Sequence, residues 1–320
     1  MKRRAIVTGG AGFIGSHLSN LLQKNGYDVT VYDDFSNGSG KENLSADIKI
    51  VRGSILNIER FRAACKKANV VFNLAVKPLA MSFDKPEEVV KVNDYGTYMI
   101  AKTCTELNIK LVHVSSSEAY GSAISIPMNE DHLFFPSTIY ASSKAASELY
   151  VRGFHKTYGL KMTIVRPFNS YGAYMRSDLY AAVIPKFYDR ISDKLSPVIH
   201  GTGNQTRDFT HVEDTSKGIM LADETKAAIG QTFNIGQGKE VNVKEIAKIM
   251  IKKYSEISGI EVNLAIKFDA PRKGDVMRHL ADISRARRVL KYKPTISLEK
   301  GIEKYILWKL GSSKRKISFA

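Results

Sequence analysis

Short apolar runs recur through the first half of the chain, and most lead into a stretch whose apolar residues return every three or four positions. The runs lie at 4–8 (RAIVT), 28–32 (DVTVY), 48–52 (IKIVR), 70–74 (VVFNL), 111–115 (LVHVS) and 162–166 (MTIVR). The helical stretches lie at 13–24, 58–67, 86–107 and 137–158. Runs this continuously apolar are strands buried on both faces. Alternating with helices, they predict a parallel sheet covered on both sides. Past about Phe168 the pattern becomes irregular, with a helix around 181–191, a strand pair around 197–211 and a helix at 243–254. A smaller, interrupted second lobe is expected there. In such folds a ligand sits at the carboxyl ends of the strands, here in the cleft between the lobes.

The first strand runs straight into Thr8-Gly9-Gly10-Ala11-Gly12-Phe13-Ile14-Gly15. Gly9 permits a tight turn, Gly12 lets backbone approach a pyrophosphate, and Gly15 lets the helix pack close to the strand. The helix start supplies amide donors for the phosphates. The spacing is G-x-x-G-x-x-G rather than the commoner G-x-G-x-x-G, but it stands in the right context, after a strand and opening a helix. About twenty residues on, the second strand ends at Asp33-Asp34, where a carboxylate can take the adenosine ribose hydroxyls. An acid there repels a 2′-phosphate, which favours NAD over NADP. A turn residue before Ser-Asn-Gly is the plainer account of Asp33. With the glycine motif the expected fold is α/β, a Rossmann-type doubly wound parallel sheet. Its NAD-binding part spans 1–170, with returns near 208–235. The substrate-binding lobe takes 171–207 and 236–310.

Tyr140 and Lys144 stand four apart, on one face of a helix. A free phenol titrates near 10, and a neighbouring ammonium lowers that value, so the pair can form an acid/base and its tuner. A solvated helix face would look the same in isolation. Ser115-Ser116-Ser117-Glu118 ends the fifth strand, at the cleft. A serine there can hold a substrate hydroxyl that Tyr140 deprotonates, or it can simply cap a turn.

Composition removes several alternatives. At 43% hydrophobic and 25% charged, the 320 residues suit a globular chain with a large core. No apolar run reaches transmembrane length, and MKRRAIVTGG enters a strand without the apolar core of a leader. A cytoplasmic location and no membrane partner are expected. Cys65 and Cys104 lie in helical patterns without partner spacing and read as buried free thiols. The net charge of +16 is spread along the chain rather than clustered, so no nucleic-acid partner is expected. The densest basic run falls in 311–320 and reads as a solvated tail.

The glycine motif, Asp33, the Ser116 region, Tyr140-x-x-x-Lys144 and Arg166-Pro-Phe-Asn-Ser-Tyr-Gly172 follow in this order. Together they resemble the extended short-chain dehydrogenase/reductase superfamily, in particular its NAD-dependent nucleotide-sugar epimerases and dehydratases, most of all the UDP-sugar 4-epimerases. The resemblance runs from Val7 to about Ile302. It implies catalytic roles for Ser116, Tyr140, Lys144 and Glu118. It implies NAD contacts from Gly9, Gly12, Phe13, Ile14, Gly15, Asp33, Asp34, Ser54, Ile55, Leu74, Ala75, Lys77, Asn93, Ser115 and Pro167, besides Tyr140 and Lys144. It implies a nucleotide-sugar site, UDP favoured, from Ser117, Asn169, Val183, Arg207, Arg272 and Asp275. No metal is implied. The sequence departs from the pattern at Ser54, where an acid is usual, at Asn73, where His is commoner, and at Ala181-Ala182, where some relatives carry Asn.

Members of this group remove a hydride from the sugar and leave a ketone, and then diverge. Ser-Ser-Glu at 116–118 resembles the Thr-Ser-Glu of decarboxylases and GDP-mannose dehydratases, without the Asp at 117 of many dTDP-glucose dehydratases. The longer stretch from Arg272 through Ala286 resembles 4-epimerases. The expected activity is therefore 4-epimerisation of a UDP-hexose, or of an N-acetyl or uronate relative. A 4,6-dehydratase or UDP-glucuronate decarboxylase using Glu118 is the alternative, and a non-catalytic NAD-binding protein is a distant one. Helices 86–107 and 137–158 carry apolar residues beyond one stripe, and relatives pair these helices, so a homodimer is expected.

Overall fold

The structure, a computed structural model, describes residues 2–37, 40–178, 181–271 and 276–317, with side chains through 312. Seven parallel strands form the main sheet. They are β1 (Arg4–Thr8), β2 (Asp28–Asp33), β3 (Lys49–Arg52), β4 (Val70–Asn73), β5 (Lys110–Val114), β6 (Met162–Pro167) and β7 (Thr232–Ile235), in the order β7-β6-β5-β4-β1-β2-β3. The order reverses at β1, which pairs with β2 on one side (Val7 opposite Val31) and β4 on the other (Val7 opposite Phe72). That reversal opens a crevice at the strands' carboxyl ends. The expected doubly wound sheet is what the chain forms.

Successive strand residues enter opposite cores. Val7, Phe72, Val112 and Val165 pack with Leu18 of α1 (Phe13–Lys24) and Ile219 of α6 (Val212–Glu224). Ile6, Val71, Leu111 and Ile164 face the other way, toward Phe61 of α2 (Ile58–Cys65), Ile100 of α3 (Gly96–Glu106) and Val151 of α4 (Ile139–Tyr158). Both cysteines are buried free thiols in this second core. A third core joins Phe187 of α5 (Val183–Ser192), Ile246 of α7 (Val243–Ser258) and Ile306 of α8 (Leu298–Ile317).

The structure departs from the sequence reading at four places. The segment 86–107 is not one regular helix: Val90–Tyr95 widens into a π-helical turn between α-helical Pro86–Val89 and α3. The strands within 197–211 do not pair with one another. Val198–His200 pairs with Lys267–Asp269, Thr206–Arg207 with Val241–Asn242, and Thr210–His211 with Ser170–Tyr171. Gly201 and Gly203, both at positive φ, turn the chain away between them. Strand β7 is not among the apolar runs, because its Thr-Phe-Asn-Ile alternates polar and apolar over only four residues although all four are buried. Residues 311–317, expected as part of a tail, are the helical end of α8.

Candidate active site

The glycine turn is built by backbone constraint. Gly9 lies at φ +64°, and a Cβ there would come within 2.8 Å of the Ala75 amide. A Cβ on Gly15 would lie 2.1 Å from the Gly9 carbonyl, so only glycine lets α1 pack this close. Gly10 is constrained too: a Cβ would meet Val31 and the Val7 carbonyl at 2.8 Å, a packing demand that motif spacing does not reveal. Helix α1 begins at Gly12 without a side-chain cap, which leaves its first amides to whatever lies beyond.

These elements wall a cavity of about 630 Å³. At one end stand Asp33, Asp34, Ser54 and Ile55, and across the glycine turn stand Leu74, Ala75 and Lys77. Asp33 is buried, its carboxylate accepting from the Ala11 amide at 3.0 Å and the Phe35 amide at 2.8 Å. It therefore fixes the glycine loop against β2 as well as lining the cavity. Burial raises its pKa, against those two bonds. Lys77 donates to Ser36 Oγ at 2.9 Å. Asn93 does not line the cavity. It stands behind, on the π-helical turn, accepting from the Lys77 amide at 2.7 Å and donating to Ser143 Oγ at 3.2 Å. Ser143 in turn donates to the Tyr140 carbonyl at 2.8 Å, so Asn93 ties the Lys77 loop to α4.

At the other end the cavity is lined by Ser115, Ser116, Ser117, Glu118, Tyr140, Lys144, Pro167 and Asn169. Thr138 caps α4 by accepting from the Ala141 amide, which sets Tyr140 in the first turn. Burial pushes the Tyr140 phenol up to about 12, a hydrogen bond with Ser116 pulls it back, and the Glu118 charge raises it further. Ser116 Oγ also caps the turn Ser117–Tyr120 by accepting from the Glu118 amide at 3.2 Å. The expected lowering of Tyr140 by Lys144 is not what the structure has. Lys144 Nζ donates instead to the Val114 carbonyl at 2.7 Å, and burial lowers its own pKa to about 8, against the Glu148 charge. Helical spacing brings two side chains to one face, but here the strand carbonyl wins the ammonium.

A second cavity of about 300 Å³ adjoins the first through Leu79, Asn169, Ser170, Met175 and Ala182, and Val183 and Arg207 line it. Arg272 and Asp275 lie outside the described residues. Sequence reasoning missed Tyr174, Met175 and Trp308 in the first cavity and His200 and Gln205 in the second. Tyr174 and Met175 come one residue after the Arg166–Gly172 motif and were within its reach. Trp308 comes from the far end of the chain with no local signal.

The residues present fit a dinucleotide. The glycine turn offers amides and a close approach, Asp33 offers a carboxylate, and buried Ser115 Oγ and Asn37 Oδ1 line the same cavity without a hydrogen-bond partner. In the second compartment's mouth, buried Asn169 Nδ2 is likewise unpaired.

Comparison with known proteins agrees with this geometry. Residues 6–305 match the family model described as GDP-mannose 4,6 dehydratase. A putative UDP-glucose 4-epimerase of Methanocaldococcus jannaschii is 35% identical, over 95% of this chain and 97% of that one. A UDP-N-acetyl-α-D-glucosaminuronate decarboxylase of Bacillus cytotoxicus is 31% identical, over 96% of this chain and 98% of its own length. The crystal structure of UDP-glucuronic acid 4-epimerase from Bacillus cereus, in complex with UDP-glucuronic acid and NAD, superposes with a TM-score of 0.87 at 30% identity, covering 97% of this chain and 99% of that one.

Proposed function

The chain belongs to the family of NAD-dependent nucleotide-sugar epimerases and dehydratases, and from that premise we propose that it is a 4-epimerase acting on a UDP-hexose, or on an N-acetyl or uronate relative, through a transient 4-keto sugar. One observation carries the choice of epimerisation over dehydration. Of the carboxylates among the described lining residues, Asp33, Asp34 and Glu42 stand on the β2 side of the glycine turn, and only Glu118 stands with Tyr140. Position 117 holds a buried serine. Elimination of water across carbons 5 and 6 needs both a base and an acid beyond Tyr140. Epimerisation at carbon 4 needs neither.

NAD supplies the hydride acceptor and donor. The chain's own residues manage the proton and the geometry. Ser116 orients the 4-hydroxyl by a hydrogen bond, and Tyr140 takes its proton on oxidation and returns it on reduction. Lys144 holds positive charge close to that exchange. Asn169, Val183 and Arg207 hold the nucleoside diphosphate in the second compartment, where an arginine fork suits phosphate oxygens. Asp33 selects NAD over NADP. The protein works as a homodimer through α3 and α4. We place it in the cytoplasm, where its buried thiols remain reduced.

Glu118 favours a second reading. Its charge acts on the Tyr140 phenol, which is where a base for the proton on carbon 5 would stand in a dehydratase, or an acid that protonates carbon 5 after carbon dioxide leaves in a decarboxylase. Glu118→Gln keeps the shape and removes the base. Under the epimerase reading turnover falls by less than about tenfold. Product formed in heavy water then carries no deuterium on carbon. A collapse in rate together with deuterium at carbon 5 would overturn the epimerase and establish the lyase.

A further inference from the structure

One feature of the cavity is used by none of these roles. Tyr174 sits at φ +68°, a conformation that a bulky side chain rarely adopts, and its ring lines the cavity. The ring stands 5.0 Å from that of His17, which is one helical turn from Phe13 at the start of α1. On its other side it meets Trp308 edge-on at 5.7 Å, and Trp308 lines the cavity as well. His17 Nε2 lies 3.0 Å from the Ala173 carbonyl, which pins the strained residue against α1. Helix α8, which carries Trp308, is tethered to both sides of the cleft. Lys304 pairs with Glu213 at the start of α6, and Lys309 pairs with Asp189 of α5 at 3.0 Å. Three segments distant in sequence thus meet at His17, one turn beyond Phe13, which lines the cavity at the end of α1 where a dinucleotide's pyrophosphate binds.

We propose that Tyr174 and Trp308 form an aromatic strap that retains the dinucleotide, closing the cavity over the pyrophosphate side of the glycine turn. The proposal rests on the NAD reading above. Backbone strain at Tyr174 has a use on this account, because the left-handed conformation is what turns the ring toward His17 and Trp308. An enzyme that reduces its own intermediate gains from a cofactor that does not leave between half-reactions.

The test is exchange of bound NAD for labelled NAD in the purified holoenzyme. Tyr174→Gly deletes the ring at a position where glycine tolerates the backbone. Trp308→Ala deletes the second ring, and Tyr174→Phe and Trp308→Phe keep a ring in place. Retention predicts exchange about tenfold faster or more in both deletions and near the wild-type rate in both Phe variants. Wild-type exchange in Tyr174→Gly would overturn the strap. So would wild-type exchange with a raised KM for the nucleotide sugar, which would assign the rings to the sugar. A wild-type protein that takes up no NAD would overturn the cofactor reading itself, a separate outcome.

Discussion

At the scale of single residues, the site is governed by burial acting on two titratable groups in opposite directions. Tyr140 is pushed up to about 12 and Lys144 is pulled down to about 8, so each is drawn toward its neutral form. For Lys144, ordinarily near 10.5, the sign follows directly. Below pH 8 the folded protein carries a desolvated ammonium at a cost. Between pH 8 and 10.5 the folded group has shed its proton while the unfolded chain keeps it, so stability gains from this group as pH rises through that window. The gain is roughly 3 kcal/mol. Lys144→Met should therefore be stabilised relative to wild type at pH 7, less the lost bond to Val114. That advantage should shrink by about the same roughly 3 kcal/mol by pH 10.5. Denaturant titrations at both pH values check it, and a pH-independent difference would contradict it.

At the scale of elements, α4 and β6 are joined by a buried pair. Arg166 donates to both Glu148 oxygens, at 2.8 and 2.6 Å, and also to Tyr120 at 2.6 Å and the Glu130 carbonyl at 3.0 Å. Tyr120 donates onward to Asn234 of β7, so the network braces the Ser116–Gly121 loop from beneath. Arg166→Met should cost about 3 kcal/mol, because it takes the bidentate partner from a buried carboxylate and leaves it with Arg152 at 3.9 Å. The double variant Glu148→Leu/Arg166→Met should recover much of that, as measured by urea unfolding. An additive double variant would remove the pair from this role. This network also shows where sequence ceases to be legible. Strands β1 to β6 and their alternation into two cores could be read from apolar runs, and the glycine turn from its spacing. Tyr140 and Lys144 could be placed on one helix face, but which acceptor Lys144 would choose could not. The π-helical turn holding Asn93, the pairing of Tyr120 with Asn234 and the arrival of Trp308 all depend on contacts between distant segments, for which no local pattern codes.

At the scale of the whole molecule, the π-helical turn before α3 and helix α4 leave apolar side chains uncovered. Tyr95 is 52% exposed, Leu149 59% and Tyr150 42%. Tyr98 packs against Tyr150 and Phe154, so this surface is an ordered continuation of the helix pair. A patch of this kind calls for a partner, and a second copy of the chain is the simplest. Light scattering at micromolar concentration should give twice the chain mass of 35.6 kDa, and Leu149→Glu should return the single-chain mass. A wild-type monomer would contradict it. The central claim is that one cleft, with Tyr140 and Ser116 at its reactive end, inverts carbon 4 of a nucleotide sugar. The most direct measurement incubates the purified protein, without added cofactor, with UDP-, dTDP- and GDP-sugars, and reads each product by mass and by NMR. The account predicts a UDP-sugar product of unchanged mass with the opposite configuration at carbon 4. Loss of one water or one carbon dioxide from the sugar nucleotide would contradict it.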